Sequence, residues 1–236
     1  DNIYLVYDSA DIADGFPVNL NDKIQSEPSV LDLDGDKYIL VGSKDDNFYS
    51  IKSDGEIKFS VETDGNILTS PSFINTDQGL MIFFSSQDDK IYALDVNGDL
   101  FPGWPRDVGG EAIGSMVFSD LDGDGVDEII SSVNSKIMIF NLDGSDFIYN
   151  IIPHELPLTS APTVLDVNQD GTLEVLVGTG TNLSSIDFKF TSDGVSSWNM
   201  HRGNIYRNGF YVSLSNPQLG DINQDAIVDI LDIVIL

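Results

Sequence analysis

Two stretches of the chain carry acidic residues at a spacing that could hold a cation. Asp120, Asp122, Asp124 and Glu128 stand at positions 1, 3, 5 and 9 of one loop, with Gly125 at 6 and the carbonyl of Val126 offered from 7. Asp166, Asn168, Asp170 and Glu174 repeat the pattern, with Gly171 at 6 and Thr172 at 7. Alternate oxygens wrapped round a tight turn suit a hard cation, and calcium takes about six to eight oxygens, carboxylate or carbonyl, at about 2.3–2.6 Å. Magnesium demands stricter octahedral geometry, and an all-oxygen set disfavours a soft transition metal. Clusters of Asp and Gly are commonly mere solvated turns. Here the pattern recurs in phase with a longer repeat, and several carboxylates in one loop repel one another strongly without a countercharge. Calcium is therefore the expected cofactor of both loops.

Three further stretches are graded against this pattern. Asp32, Asp34 and Asp36 keep the alternation but lack the glycine at 6 and the acid at 9, so a weaker metal site is expected there. Asn75, Asp77 and Gly79 offer too few ligands, and that turn is expected to be metal-free. Near the end of the chain, Asp221, Asn223, Asp225 and Asp232 occupy positions 1, 3, 5 and 12, with the Ile227 carbonyl at 7 and an apolar residue at 8. That is the twelve-residue EF-hand scheme followed by a helical start. Ala226 replaces the usual glycine at 6, which is expected to strain the turn and weaken affinity.

No catalytic residues stand out. The sequence shows no nucleophile beside a base, no isolated carboxylate pair, and no metal set with an evident open position. His154 reads as a loop residue between repeats. His201, Arg202 and Arg207 form the one local cationic cluster, able to bind an acidic group or to pair with neighbouring carboxylates.

Composition narrows the partners. The 236 residues hold 11 Lys+Arg against 39 Asp+Glu, a formal net charge of −28, with no cysteine and two histidines. Such a polyanion is repelled by phosphate backbones and anionic lipid, so neither nucleic acid nor membrane insertion is expected. The apolar stretch Ile230 to Leu236 is broken by Asp232 and is far shorter than the roughly 20 residues that span a bilayer. Cysteine-based zinc or disulfide frameworks are impossible. With 41% hydrophobic and 10% aromatic residues, the chain is a folded domain and not an acidic tail.

The elements that must position the loops come from internal repetition. Pro28 to Ile57 lies over Pro71 to Leu100 without a gap, aligning Asp45-Asp46 with Asp88-Asp89, Tyr49 with Tyr92 and Gly55 with Gly98. A third copy from Ser115 matches a fourth from Ala161, and Asp1 to Asp8 matches the tail of a copy. Gly15-Phe16-Pro17 and Gly103-Trp104-Pro105 recur as a signature expected to pack between repeats. Each copy reads as four short strands, and Asp54-Gly55, Asn97-Gly98 and Asp143-Gly144 are expected to make two-residue hairpin turns. Four strands every 43 to 46 residues is the period of a propeller blade.

The fold class is thus all-β, a β-propeller of four-stranded blades with a short C-terminal EF-hand-like loop. Expected boundaries are a blade tail at 1–23, blades at about 24–66, 67–110, 111–156 and 157–212, and a linker with the calcium loop at 213–236. Because the first repeat begins in mid-blade, the chain is expected to be part of a larger propeller; closure of a small propeller by its two ends is the alternative.

The repeated loops resemble the FG-GAP/VCBS family of calcium-binding propeller repeats, seen in integrin α-subunit heads and many secreted bacterial proteins. The resemblance covers about residues 1 to 190 and implies calcium in the first hairpin of each blade, holding the turn and performing no chemistry. The tail from Gly220 resembles the first half of a type I dockerin, which docks onto a cohesin domain in secreted bacterial assemblies. Together these imply an extracellular, non-catalytic adhesion, recognition or scaffold module, with a cohesin-like domain, an extracellular glycan or a protein as partner. The alternative is the accessory end of a secreted hydrolase or lyase.

Overall fold

The computed structural model describes residues 1–191 and 198–213, and every regular element among them is a β-strand. A short ribbon pairs β1 (Asn2–Ile3) with β2 (Val18–Asn19). The first full blade holds β3 (Ser29–Leu33), β4 (Asp36–Gly42), β5 (Asn47–Lys52) and β6 (Ile57–Glu62). The second holds β7 (Ser72–Thr76), β8 (Gly79–Ser86), β9 (Lys90–Leu94) and β10 (Arg106–Asp107). The third is β11 (Ala112–Ser119), β12 (Glu128–Val133), β13 (Lys136–Phe140) and β14 (Asp146–Pro153). The fourth has β15 (Thr163–Leu165), β16 (Thr172–Gly178) and β17 (Leu183–Thr191). All these pairings are antiparallel between strands consecutive in sequence, which is why short local turns suffice to build each blade.

The blades stack face to face. Central strands are buried on both faces, and β8 is buried from Leu80 to Ser86, so it reads as a continuous apolar run and not as an alternating one. Phe48 of β5 stacks on Phe84 of β8 at 4.1 Å between ring centres, and Phe83 meets Phe118 of β11 at 5.3 Å. A second cluster joins Val117, Ile130 and Ile139 of the third blade to Val164, Val175 and Val177 of the fourth. Each fully buried ring or branched chain contributes roughly 1.5–3 kcal/mol, so the sheets are stable only as a stack.

The recurring Gly-aromatic-Pro signature does pack between blades. The Trp104 indole N–H donates to Leu142 O of the next blade at 3.0 Å, with its ring against Phe83 and Phe140. Just before it, Gly103 has φ +88°, and a Cβ there would lie 2.0 Å from the Asp143 carbonyl oxygen. Gly15 meets Asp54 in the same way two repeat boundaries earlier. Both aromatic-proline bonds, Phe16-Pro17 and Trp104-Pro105, are cis.

Two features differ from the sequence expectation. The Asp-Gly and Asn-Gly hairpins are three-residue loops: Gly55 N donates to Lys52 O and Lys52 N to Glu56 O, and only the glycine has positive φ. That is a type I turn followed by a left-handed residue, a shape the dipeptide alone does not distinguish from a two-residue turn. The last blade does not extend to residue 212. β18 (Phe210–Ser213) instead joins the first blade, pairing parallel to β3 from Phe210↔Val30 to Ser213↔Leu33.

The segment Trp198–Ser213 thereby forms a strap across the first strands of the blades. Val30, Phe118 and Val164 occupy equivalent positions in three blades, and their amides donate to Gly209 O, Trp198 O and Asn199 O at 2.7, 3.0 and 2.9 Å. In the second blade, Asn75 N donates to the Tyr211 hydroxyl at 3.1 Å, while Trp198 packs edge-on against Phe73. Strand edges that would otherwise present unpaired donors are covered.

The aligned Asp-Tyr pairs lock the second hairpin of two blades. The Tyr49 hydroxyl donates to Asp45 at 2.7 Å and that of Tyr92 to Asp88 at 2.5 Å. Burial, then the bond to Asp45, pushes the Tyr49 phenol up to about 12. Burial pushes the Asp88 carboxyl up, but the Tyr92 hydroxyl, two backbone N–H groups and Lys90 outweigh it and hold the group below its ordinary 3.8.

Tyr92→Phe is expected to cost roughly 1–3 kcal/mol in urea unfolding near neutral pH, because it removes a bond to a buried charge. Asp88 contributes stability above its unfolded value and loses it as pH falls through its lower folded value. The gap between wild type and variant should therefore narrow in acid. Gly103→Ala is expected to cost roughly 2–4 kcal/mol, combining left-handed strain with the clash on Asp143. Gly79→Ala, at φ +110° with open space around it, should cost only about 1–2 kcal/mol.

Candidate metal loops

The third-blade loop runs from the end of β11 into β12, and its carboxylates first build the turn itself. Asp120 accepts from the amides of Gly123, Asp124 and Gly125 at 2.7, 3.1 and 2.9 Å. Asp122 accepts from Asp124 N at 3.2 Å, and Asp124 from Val126 N at 2.8 Å. The fourth-blade loop between β15 and β16 repeats the ladder. Asp166 accepts from Asp170 N and Gly171 N, Asn168 from Asp170 N, and Asp170 from both the amide and the hydroxyl of Thr172. Gly125 and Gly171 take φ values of 87° and 85° at the point where the turn needs them.

The ninth-position acids are the buried members. Glu128 is 3% exposed and Glu174 4%. Each lies in the first three residues of the second strand of its blade and reaches back to the amide at position 2, Leu121 N in one loop and Val167 N in the other, both at 2.7 Å. The loops differ at position 3. Asn168 donates its amide to the other oxygen of Glu174 at 2.9 Å. Asp122 has no side-chain amide N–H to donate to Glu128. Burial, and after it the Asp122, Asp120 and Asp124 charges, push the Glu128 carboxyl up to about 8, against the opposing bond from Leu121 N. A buried carboxylate surrounded by three others is the environment that a divalent cation reverses.

Among the described residues, two groups of three carboxylates place their oxygens within 4.8 Å of one another. Asp120, Asp122 and Asp124 form the first, as their spacing predicts. Asp170 and Glu174 form the second with Asp187, which sequence reading did not single out. Asp187 lies on β17 and pairs in register with Glu174; it also forms an ion pair with Lys189. Only the strand register brings it to the loop, and a lone Asp in an unmarked apolar run carried no signal. The donor set in both loops is hard oxygen throughout, which fits calcium: Asp120, Asp122, Asp124, Glu128 and the Val126 carbonyl would hold one ion, and Asp166, Asn168, Asp170, Glu174 and the Thr172 carbonyl another. Such ions would neutralise and stiffen the turns.

The first-blade run has a different geometry. Asp34 and Gly35 both have positive φ, at 54° and 93°, making a two-residue hairpin in which Asp32 faces Lys37 across the strands. The Lys37 ammonium lies 2.7 Å from Asp32, so this loop carries its own cation. In the second blade, Asn75 binds the strap through Tyr211 and Ser213. Asp221, Asn223, Asp225, Ile227 and Asp232 lie outside the described residues.

The two histidines differ in their partners, and only His201 stands beside a carboxylate. His154 Nε2 is 2.8 Å from the Ser184 hydroxyl, but its Nδ1 meets the backbone of Leu156 and no carboxylate. His201 sits on the strap between the Ser115 hydroxyl at 2.9 Å and Glu27 at 3.1 Å.

Comparison with known proteins agrees with this geometry. No curated protein matches the sequence. Among solved structures, the chain is similar to the crystal structure of BBS1N in complex with ARL6DN, soaked with mercury: TM-score 0.56 at 13% identity, over 79% of this chain and 58% of that one. The lead-soaked crystal of that complex gives 0.56 and 13%, over 79% and 54%. BamB from Moraxella catarrhalis gives 0.53 at 18% identity, over 78% and 51%. The chain thus spans a little over half the length of these propeller-type neighbours, and at such identities the likeness is one of fold. A family model described as an FG-GAP-like repeat matches residues 120–177, the stretch that holds both acidic loops. The chain is therefore an all-β, propeller-type protein that carries an FG-GAP-like repeat in its third and fourth blades.

Proposed function

We propose that this chain is a calcium-stabilised, non-catalytic propeller module of a secreted or cell-surface bacterial protein, serving adhesion, recognition or scaffolding. The observation that carries the reading is the pair of equivalent loops in which a cluster of three carboxylates stands at a glycine turn and a buried glutamate bonds back to the loop's second amide. In the third blade that glutamate faces three aspartates with no cationic side chain of the described residues paired to it, a balance that calcium at extracellular millimolar supply would restore. The tail from Asp221 to Asp232 is the attachment segment of this proposal, with a cohesin-like domain as its partner. A protein or glycan is the expected partner of the propeller's loop faces, where binding residues can vary without disturbing the stack.

Thermal unfolding in EDTA, in millimolar calcium and in magnesium tests the calcium reading. At a calcium concentration about 100 times Kd, one site adds about 2.7 kcal/mol, or about 5–10 °C for a domain of this size. Magnesium should do less. Identical curves in EDTA and calcium would remove the basis of the proposal. The contrast at position 3 yields a sharper expectation: Asp122→Asn lets the third loop imitate the fourth, so it should raise the melting temperature in EDTA while shrinking the gain from calcium. A variant that loses stability in EDTA would contradict the assigned repulsion.

A further inference from the structure

The strap carries two of the chain's three arginines and one of its two histidines within seven residues, in a protein of net charge −28, and the metal loops use none of them. Its position is specific. Glu27, Ser70, Ser115 and Ala161 occupy equivalent places at the starts of the four blades, at the opposite ends of the first strands from the acidic loops. Three of the four converge through the strap. Ser70 donates to Glu27 at 3.2 Å, and His201 bridges Glu27 and Ser115. The Arg202 amide donates to Ser115 Oγ at 3.3 Å.

The two arginines differ. The Arg202 guanidinium is consumed by structure: it donates to Arg207 O, Pro28 O and Asn208 O, and lies 3.4 Å from Glu27. Arg207 is exposed and, among the described residues, its side chain forms no ion pair or hydrogen bond. Its guanidinium stands at the junction of two clefts. One, of about 390 Å³, is shared with Glu27, Pro28 and Arg202. The other, of about 420 Å³, runs between the third and fourth blades, with Thr159, Ser160 and Thr163 on its wall and Ile113, Leu176 and Leu183 supplying apolar surface.

That second cleft lies where the third blade departs from the repeat. Ser26, Thr69 and Ser160 hold equivalent positions, and their hydroxyls bond the ends of the neighbouring strands at Gly42, Ser85 and Gly178. The third blade has Gly114 there, with φ +72° and the backbone of Ala161 close by. A hydroxyl latch is missing at this position, where Ala161 leaves no room for a side chain, and the cleft beside it reaches Arg207.

We infer that this cleft is a binding site for a monoanionic carboxylate on a small hydroxyl-bearing body, the chemistry of an acidic sugar unit. Arg207 is the anion contact, the threonine and serine hydroxyls meet the polar body, and the leucine and isoleucine side chains meet its apolar edge. A single planar guanidinium matches one carboxylate in a two-pronged bond. A dianion would gain beside Arg207 only the His201 ring, already engaged by Ser115 and Glu27, and would meet the field of the surrounding acids. The site goes beyond the calcium proposal, since its groups lie at the other ends of the strands from the metal loops.

The test is a titration of the isotope-labelled chain, held in calcium, with sodium glucuronate, glucose and inorganic phosphate, followed by backbone amide NMR. Glucuronate should give saturable shifts centred on Gly114, Ser160 and Arg207, glucose should bind at least about tenfold more weakly, and phosphate should not compete. Arg207→Ala should weaken glucuronate about tenfold or more, with Arg207→Lys between the two, and neither should move the melting temperature, because the side chain is exposed. Equal binding of glucose, tighter binding of phosphate, absence of shifts, or full affinity in Arg207→Ala would each overturn the assignment. A failure of calcium to stabilise the chain would leave these readouts unchanged, so the two proposals fail separately.

Discussion

Every sheet in this protein needs a neighbour against each face. A strand such as β8, buried along nearly its whole length, has no polar side to turn to water, and a lone four-stranded sheet of that composition would be insoluble. Face-to-face stacking resolves this, and the recurring features serve it. Phe48 lies on Phe84, Trp104 reaches into the next blade, and Gly103 and Gly15 let one blade's connection touch the hairpin of the next. Where carbonyl oxygen and glycine meet with no room for a methyl group, side-chain identity is dictated by the neighbouring blade and not by the local strand.

Stacking leaves the edges and turns to be settled separately. At the inner edges, the strap uses its own carbonyls to satisfy amides at the same position in three blades, so one short segment does for the stack what pairing does within a sheet. At the turns, carboxylates accept the amides of their own loops. The third and fourth blades share most of this ladder, and the exchange of Asp122 for Asn168 decides whether the buried glutamate gains a side-chain bond or an opposing charge. Loops so alike in shape can therefore depend on a cation to different degrees.

The two proposed sites stand at opposite ends of the strands. At one end, oxygen-rich turns offer a place for hard cations that would hold the blades' first hairpins. At the other, the strap brings basic side chains to the starts of the first strands, beside the cleft between the third and fourth blades. A strongly acidic protein thus carries a small basic island whose position depends on hydrogen bonds to Glu27, Pro28 and Ser115.

Much of this was legible from residue order, because a repeat reports its own architecture. Period, turn residues and the alternation of acids identified four-stranded blades, the packing signature around Trp104 and the two loops at Asp120 and Asp166, all of which depend on contacts close in sequence. The turn type at Asp54-Gly55 was not legible, since both candidate geometries accept that dipeptide. Nor was the role of Lys37, because alternating aspartates look alike until strand pairing shows which side chain stands opposite. Asp187 reached the fourth-blade loop through the register of β16 and β17, and Trp198–Ser213 crossed to the first blade through contacts more than 170 residues apart in sequence. The sequence by itself determined the repeating unit and the chemistry its loops can do, because both are written in local spacing. Only the tertiary structure decided which carboxylates share a charge, which arginine is left free and where the last strand pairs, because those depend on distances that the chain order does not encode.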